Sequence, residues 1–213
     1  LADAACRRAA GVIALTEGIA ATAVGRGTDP ARVAVLPQGA DLSVFGPRAT
    51  PWRPPEADGA TLAVYAGAQG RANGLDTLLD AAAALRGSPV RIVVAGEGSE
   101  TGRLKARAAT ERLPVCFLDP MPKARLAGLL ASADLGLLVL ADVPDFAEWT
   151  APNKLVEGLA AGLPMVVNVP GRAARLVEAG GCGLAVPPGD AAALAAALRA
   201  LAADPERRKA MSR

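Results

Sequence analysis

An α/β fold built on a doubly wound parallel sheet is predicted by three features of this sequence. Apolar runs of four to six residues recur without polar alternation, at 62–66, 92–95, 115–118 and 135–140. Such runs belong to strands buried on both faces. Each is followed by a stretch with apolar residues at helical spacing, and the connections are short and punctuated by glycine or proline.

The elements follow in order. Val12 to Leu15 is a short apolar run, after which Thr16 caps a small-residue helix opened by Glu17. Asp29-Pro30 breaks the chain, and Val33 to Leu36 reads as a second strand. Between Gly46 and Gly59 stand Pro47, Pro51, Pro54 and Pro55, with Trp52 and Arg53 among them. No helix or central strand tolerates that density, so the segment is a linker or crossover. From Thr61 the rhythm is regular. Strands are expected at 62–66, 91–95, 115–118, 135–140, 165–169 and 184–186. Helices are expected through Leu75 to Leu85, around Leu104, over 123–131, through Glu157, near Leu176 and over 190–201.

Composition narrows the function. The chain has 213 residues, 52% of them hydrophobic and only 3% aromatic. Its core is therefore built from closely packed aliphatic side chains. A net charge of +2 with scattered basic residues gives no nucleic-acid footprint. Cys6, Cys116 and Cys182 are odd in number and without CxxC spacing, which suits free thiols in a reducing compartment. The absence of histidine removes Ser-His and Cys-His catalysis and most zinc sites from this segment. No apolar run reaches the roughly 18 residues needed to span a bilayer. The start at Leu1 without an initiator Met suggests a piece of a longer protein, cut at both ends.

In a sheet of this kind ligands sit beyond the carboxyl ends of the strands, so the residues just after each strand are the candidates. Gly67-Ala-Gln-Gly70-Arg71-Ala-Asn73-Gly74 follows the first strand of the regular part and opens a helix. Glycines there let backbone N–H groups approach a phosphate. The spacing is neither GxGxxG nor a Walker motif, and a plain tight turn is the alternative. Pro152-Asn153-Lys154-Leu-Val-Glu157 places a lysine in the first turn of a helix and a carboxylate three residues on, on the same face. The lysine and free N–H groups can hold a diphosphate, and the carboxylate can accept two ribose hydroxyls. A surface Lys–Glu pair is the ordinary reading of that spacing. Asp119-Pro120-Met121-Pro122 can wall a flat base with Met121, or be a turn only. The loop from Asp142 to Thr150 carries Phe146, Glu148 and Trp149, suited to sugar contact or simply solvated. No DxD sequence occurs, so no metal-diphosphate clamp, and no cofactor, is expected.

Taken in order, these segments resemble the retaining glycosyltransferases of the GT-B class known as group 1 or family 4. The likeness covers nearly the whole chain. It is carried by Val33-Ala-Val-Leu-Pro-Gln38-Gly39-Ala-Asp41, by Gly74-Leu-Asp-Thr-Leu-Leu-Asp-Ala81 and by Val93-Val-Ala-Gly96-Glu-Gly98. Pro152-Asn-Lys-Leu-Val-Glu157-Gly-Leu-Ala-Ala-Gly162-Leu-Pro164 and Val186-Pro-Pro-Gly-Asp190 complete it. The resemblance implies that residues 61–213 form a Rossmann-like domain binding the nucleotide of a sugar donor, most simply a UDP sugar. Residues 1–46 would be the end of an acceptor-side domain, and residues 47–60 the linker. Donor-binding residues would be Gly67, Gly70, Arg71, Asn73, Met121, Asn153, Lys154 and Glu157. The catalytic residues would lie on the acceptor side and are not assigned. Partners would be the nucleotide-diphosphate sugar and a glycan or lipid-linked acceptor, with no nucleic acid. Peripheral membrane contact would run through the other domain, at the inner face of a bacterial cytoplasmic membrane.

Two departures stand out. The family's arginine and lysine around the first loop fall here at Ala68 and Asn73, and the first glutamate of its paired motif falls at Trp149. Both are similar to a branch of bacterial surface-polysaccharide transferases that includes fucosamine-transferase-like proteins. There Lys154 and Arg71 would supply the missing positive charge. A Rossmann oxidoreductase using Glu97 for the ribose, and a non-catalytic nucleotide-binding module, are the competing readings.

Overall fold

A computed structural model of the chain describes residues 2–212. It begins with helix α1 (Ala2–Arg8), strand β1 (Val12–Ala14), helix α2 (Glu17–Gly25) and strand β2 (Val33–Val35). β1 and β2 pair in parallel, Val12 opposite Val33 and Ala14 opposite Val35. Thr16 caps α2 as its sequence predicts: its hydroxyl accepts from the Ile19 N–H at 3.1 Å. The same hydroxyl donates to the Glu148 carbonyl at 2.7 Å, tying α2 to a distant loop. A single turn, α3 (Leu42–Phe45), is capped by Asp41 and buries Phe45.

The main sheet has six strands, β3 (Thr61–Ala66), β4 (Val90–Ala95), β5 (Val115–Leu118), β6 (Leu135–Leu138), β7 (Met165–Val167) and β8 (Gly183–Ala185). All pair in parallel, in the order β5-β4-β3-β6-β7-β8. The connecting helices are α4 (Leu75–Ala84), α5 (Thr101–Thr110), α6 (Lys123–Ser132), α7 (Phe146–Trp149), α8 (Asn153–Ala160) and α9 (Arg172–Ala179). α10 (Ala191–Ala203) and α11 (Pro205–Met211) end the described chain. This is the doubly wound α/β fold expected from the apolar runs.

Both faces of the sheet are buried. On one, Leu78, Leu79, Ile92, Leu135 and Leu198 form a cluster under α4 and α10. On the other, Leu62, Val64, Leu129, Leu138 and Met165 join Phe45. Each fully buried leucine contributes about 1.5–3 kcal/mol. Ala81, Ala82 and Ala195 are wholly buried, and such small side chains let α4 and α10 approach closely where aromatics are scarce.

Two strands end earlier than their apolar runs. Asn168 is buried and its side chain takes over from the ladder: Nδ2 donates to the Leu140 carbonyl at 2.9 Å, and Oδ1 accepts from the Leu140 N–H at 2.8 Å. β6 thus stops at Leu138 and β7 at Val167, because an amide side chain satisfies the next backbone groups. The segment 142–150, expected as a loop, contains the single turn α7, whose carbonyls are bound by Thr16 and Thr150.

The proline-rich segment is fastened down rather than loose. The Trp52 ring N–H donates to the Arg125 carbonyl at 2.6 Å, and its backbone N–H to the Gly128 carbonyl. The Arg53 guanidinium pairs with Asp134 at 2.8 Å, and the same carboxylate oxygen accepts from the Leu62 N–H. Among the described residues no helix is long and apolar enough to cross a membrane.

Strand order reverses between β3 and β6, and there the two loops touch. Gly74 sits at φ 58°, and a Cβ on it would lie 2.7 Å from the backbone of Ala141. Ala141 in turn donates its N–H to the Ala72 carbonyl at 3.0 Å. Gly74→Ala is expected to destabilise the chain by about 2–4 kcal/mol, strain and overlap together. Gly59→Ala, at φ 70° but with nothing within 4 Å, should cost only about 1 kcal/mol. Urea unfolding of the two variants separates backbone strain from the loop-to-loop contact; equal losses would mean that the contact contributes nothing.

Candidate functional site

The loops after β3, β4, β5 and the start of α8 converge at the carboxyl edge of the sheet. The first two meet backbone to backbone. A Cβ on Gly96, at φ 128°, would fall 2.3 Å from the Gly67 carbonyl oxygen, and one on Gly98 would fall 2.5 Å from Gln69. Gln69 clasps the pair. It is fully buried, its Nε2 donates to the Gly96 carbonyl at 2.7 Å, and its backbone N–H donates to the Glu97 carbonyl. Only glycine at these positions leaves room for the approach.

Lys154 rises from the first turn of α8 into this junction. Its Cε lies 2.9 Å from where a Cβ on Gly67 would stand, so the glycine makes space for the lysine stem. The amine sits 4.8 Å from the centre of the Tyr65 ring. Tyr65 is itself buried, and its hydroxyl donates to the Ala68 carbonyl at 2.6 Å. Burial raises the Tyr65 phenol and pulls the Lys154 amine down to about 8. No carboxylate pairs with Lys154 among the described residues. A cation over an aromatic face, aimed at a glycine loop and short of a counter-charge, is suited to receive an anion.

Glu157 lies one turn further along the same face. Its side chain is 14% exposed and its nearest cation is Lys123, at 4.0 Å. Lys123 opens α6, immediately after the loop that carries Met121. Met121 lines a cavity of about 160 Å³ together with Gly67, Gly96 and Pro120. Gly67 and Met121 thus share one cavity at the mouth of the sheet, Lys154 reaches Gly67 from α8, and Glu157 stands one turn on, beside Lys123.

The remaining candidates lie elsewhere. Arg71 is 92% exposed and reaches Glu100 at 3.7 Å. With Gly70, Gly74 and Arg103 it lines a separate cavity of about 220 Å³ towards α5. The Asn73 side chain accepts from the Gly70 N–H at 3.1 Å, so it holds the loop's own turn. Asn153 is exposed, and its side chain accepts from Gln38, a residue between β2 and α3. Trp149, at 44% exposure, lies against Gly18 of α2. Its neighbour Glu148 is held by Arg175 at 2.9 Å.

Sequence reading missed two contributors. Tyr65 reads only as a buried strand residue, and nothing in the pattern marks it as the platform under Lys154. Lys123 could have been found, since it begins the helix after the β5 loop on the edge where ligands bind.

The family model described as Glycosyl transferases group 1 matches residues 60–204. Among solved structures, Anabaena Alr3699/HepE in complex with UDP superposes with a TM-score of 0.79 at 20% identity, over 98% of this chain and 58% of that one. Sucrose-phosphate synthase from Thermosynechococcus elongatus gives 0.78 at 24% identity, over 99% and 53%. WaaG, a glycosyltransferase involved in lipopolysaccharide biosynthesis, gives 0.73 at 21% identity, over 94% and 55%. The chain therefore spans a little over half the length of these proteins, and at such identities the likeness is one of fold. Comparison with curated proteins gives no match.

The lowered Lys154 value has a consequence for stability. The folded amine releases its proton near pH 8, whereas an ordinary lysine holds it to 10.5. The unfolded chain binds more protons between those values, so stability rises with pH across that window. Lys154→Met is expected to raise Tm at pH 7, where the buried charge is costly, and the gain should narrow as pH rises through 8 to 10. Thermal unfolding at the two ends of the window checks this; a gain independent of pH would mean that Lys154 is not held back from ionising.

Proposed function

The chain belongs to the glycosyl transferases of group 1, and from that membership we propose that it provides the donor-binding half of a retaining, family 4 transferase of GT-B architecture. The donor is a nucleotide-diphosphate sugar, most simply UDP-linked, and the acceptor a glycan or lipid-linked chain of bacterial surface polysaccharide. The work is done in the cytoplasm, at the inner face of the membrane. The departures at Ala68, Asn73 and Trp149 favour the fucosamine-transferase-like branch.

One observation carries the reading: Lys154, unpaired and partly buried, stands at the first turn of α8 and faces the Gly67 loop. When a sugar C1–O bond to a nucleotide diphosphate breaks, negative charge accumulates on the leaving β-phosphate. A lysine and the free N–H groups of a helix N-terminus stabilise that charge without a metal. Glu157, on the same face, is suited to accept two ribose hydroxyls. Met121 and the backbone of the β5 loop would wall the base. Gly70 and Asn73 would contribute by shaping the loop after β3, and Asn153 by its place at the start of α8; Arg71 would have to leave Glu100 to reach a phosphate. The neighbour Alr3699/HepE was solved with UDP and with UDP-glucose, which supports a donor of this class.

Residues 1–46 would belong to the acceptor-side domain and 47–60 would lead out of it. Supporting this, Ile13 is 69% exposed on a parallel two-stranded ladder, and Leu36, just past β2, is 61% exposed. Parallel strands are normally covered on both faces. Family membership sets the oxidoreductase reading aside.

Calorimetry with UDP and with pyrophosphate tests the assignment. Lys154→Ala should weaken UDP by about 1.5–3 kcal/mol, the scale of a charge-assisted hydrogen bond. Arg71→Ala should cost less. Wild-type UDP affinity should fall as pH rises past 8, and this dependence should vanish in Lys154→Ala. Glu157→Gln should weaken UDP while leaving pyrophosphate nearly unchanged, since pyrophosphate has no ribose to read. Unchanged UDP affinity in Lys154→Ala would refute the site, and equal responses of the two ligands in Glu157→Gln would remove Glu157 from the ribose.

A further inference from the structure

Tyr65 is the chain's single tyrosine, and it is fully buried near the end of β3. A phenylalanine would fill the same space, and burying a hydroxyl is costly unless it is hydrogen-bonded. Here the hydroxyl donates to the Ala68 carbonyl at 2.6 Å, just past the strand. The ring belongs to the core cluster under α4 and α10, whereas Leu155, beside Lys154, belongs to the opposite one. The lysine therefore crosses the end of β3 to bring its amine 4.8 Å from the ring centre. The crossing point is Gly67: a Cβ there would stand 2.9 Å from Lys154 Cε and 3.9 Å from the Tyr65 hydroxyl.

One side chain thus touches both parts of the proposed phosphate site, the lysine and the glycine loop. An aromatic face favours the charged form of an amine held against it. Burial pushes the phenol above the usual tyrosine range, so its hydroxyl goes on donating while the amine titrates. The bond to Ala68 fixes the loop at a residue whose own N–H is unused. The N–H groups of Gly67, Gln69 and Gly70 go to Ala95, Glu97 and Asn73, and that of Ala68 has no partner among the described residues. Charged groups on the surrounding elements are held elsewhere. Glu157 on α8 has Lys123 of α6 as its nearest cation, Glu148 of α7 pairs with Arg175, and Asp119 after β5 pairs with Lys105. Asp41, before α3, accepts from Ser43. Arg71 pairs with Glu100 in the adjoining loops, where Glu97, Asp142 and Asp145 also stand, and none of these carboxylates forms an ion pair with Lys154 among the described residues.

We propose that Tyr65 is a positioning residue with two separable roles, its ring holding the Lys154 amine in the charged form and its hydroxyl fixing the loop at Ala68. Amine and loop then meet a diphosphate at one spacing. The part that concerns the diphosphate rests on the donor reading above, and the part that concerns Lys154 and the loop does not. A tyrosine with a packing role alone would lower stability when replaced. Its loss would loosen the site, admit water and raise the proton affinity of the amine, whereas loss of a supporting ring lowers it.

The test is an NMR titration of the lysine side chains of the full chain, beside calorimetry with UDP over a pH range that brackets the Lys154 value of about 8. Lys105, Lys123 and Lys209, the only other lysines, serve as internal references. Tyr65→Leu keeps an apolar filling but has no π face, so the proton affinity of Lys154 should fall about three- to tenfold. The pH at which UDP affinity declines should move down with it. A rise in the lysine's proton affinity, or no change, would overturn the ring's role. Should Tyr65→Leu fail to fold, fluorotyrosine at this single tyrosine thins the π density at nearly constant volume, and the same fall is expected in smaller measure. Tyr65→Phe keeps the ring and loses the bond to Ala68. Its Lys154 titration should be unchanged, while amide exchange at Gln69 and Gly70 quickens and UDP binds about two- to tenfold more weakly. Unchanged exchange, or unchanged UDP affinity, would overturn the hydroxyl's role. If the wild type does not bind UDP at all, the donor reading fails, and the lysine titration and the exchange rates still decide the two roles of Tyr65.

Discussion

The loops that follow β3, β4 and β6 must meet backbone to backbone, and much of the candidate site depends on that approach. A Cβ on Gly74 would overlap Ala141, one on Gly96 would overlap Gly67, and one on Gly98 would overlap Gln69. Side chains at these three points would push the loops apart and open the carboxyl edge of the sheet. With hydrogen there instead, the buried Gln69 side chain can reach the Gly96 carbonyl. The Asn168 amide does the same between β6 and β7. The approach of these loops is therefore made by main chain.

Lys154 has its character from that setting. Gly67 leaves room for its stem, Tyr65 provides the surface beneath its amine, and burial takes part of its hydration away. The same desolvation that lowers its proton affinity makes an incoming anion a stronger partner than it would be at the surface. In the proposed role, stability and ligand binding would be opposed at this residue: the desolvated charge is a cost in the empty fold and would be an asset with a diphosphate in place. Glu157 is kept a turn away, with Lys123 the nearest cation, so it does not neutralise Lys154.

The segment before β3 is mechanically joined to the main sheet. Trp52 binds the backbone of α6, Arg53 and Leu62 share Asp134, and Phe45 is buried in the sheet's second core. Further up, Thr16 holds the Glu148 carbonyl and Gln38 meets Asn153. These last contacts are single hydrogen bonds between polar groups, each worth about 0.5–1.5 kcal/mol. Nearer α8 the same segment is held by packing as well, with Trp149 against Gly18 and Phe45 in the core.

The strands and helices of the main sheet were legible in the sequence because each is encoded locally. A run such as Leu62-Ala-Val-Tyr-Ala66 has one reading when both faces are to be buried, and the leucines of α4 fall on one stripe. Gly67, Lys154 and Glu157 could be proposed from sequence, since a glycine turn after a strand and a lysine at a helix start are local signals. Strand ends were less legible: β6 and β7 stop where Asn168, far along the chain from Leu140, takes over their hydrogen bonds. Which candidates share a crevice was beyond the sequence altogether. Arg71 and Lys154 look equivalent as cations near phosphate-type loops, yet one lies in solvent beside Glu100 and the other against Tyr65. That difference is a matter of which way each side chain leaves the backbone and what packs around it. Contacts between residues tens of positions apart decide it, and only the folded chain brings them together.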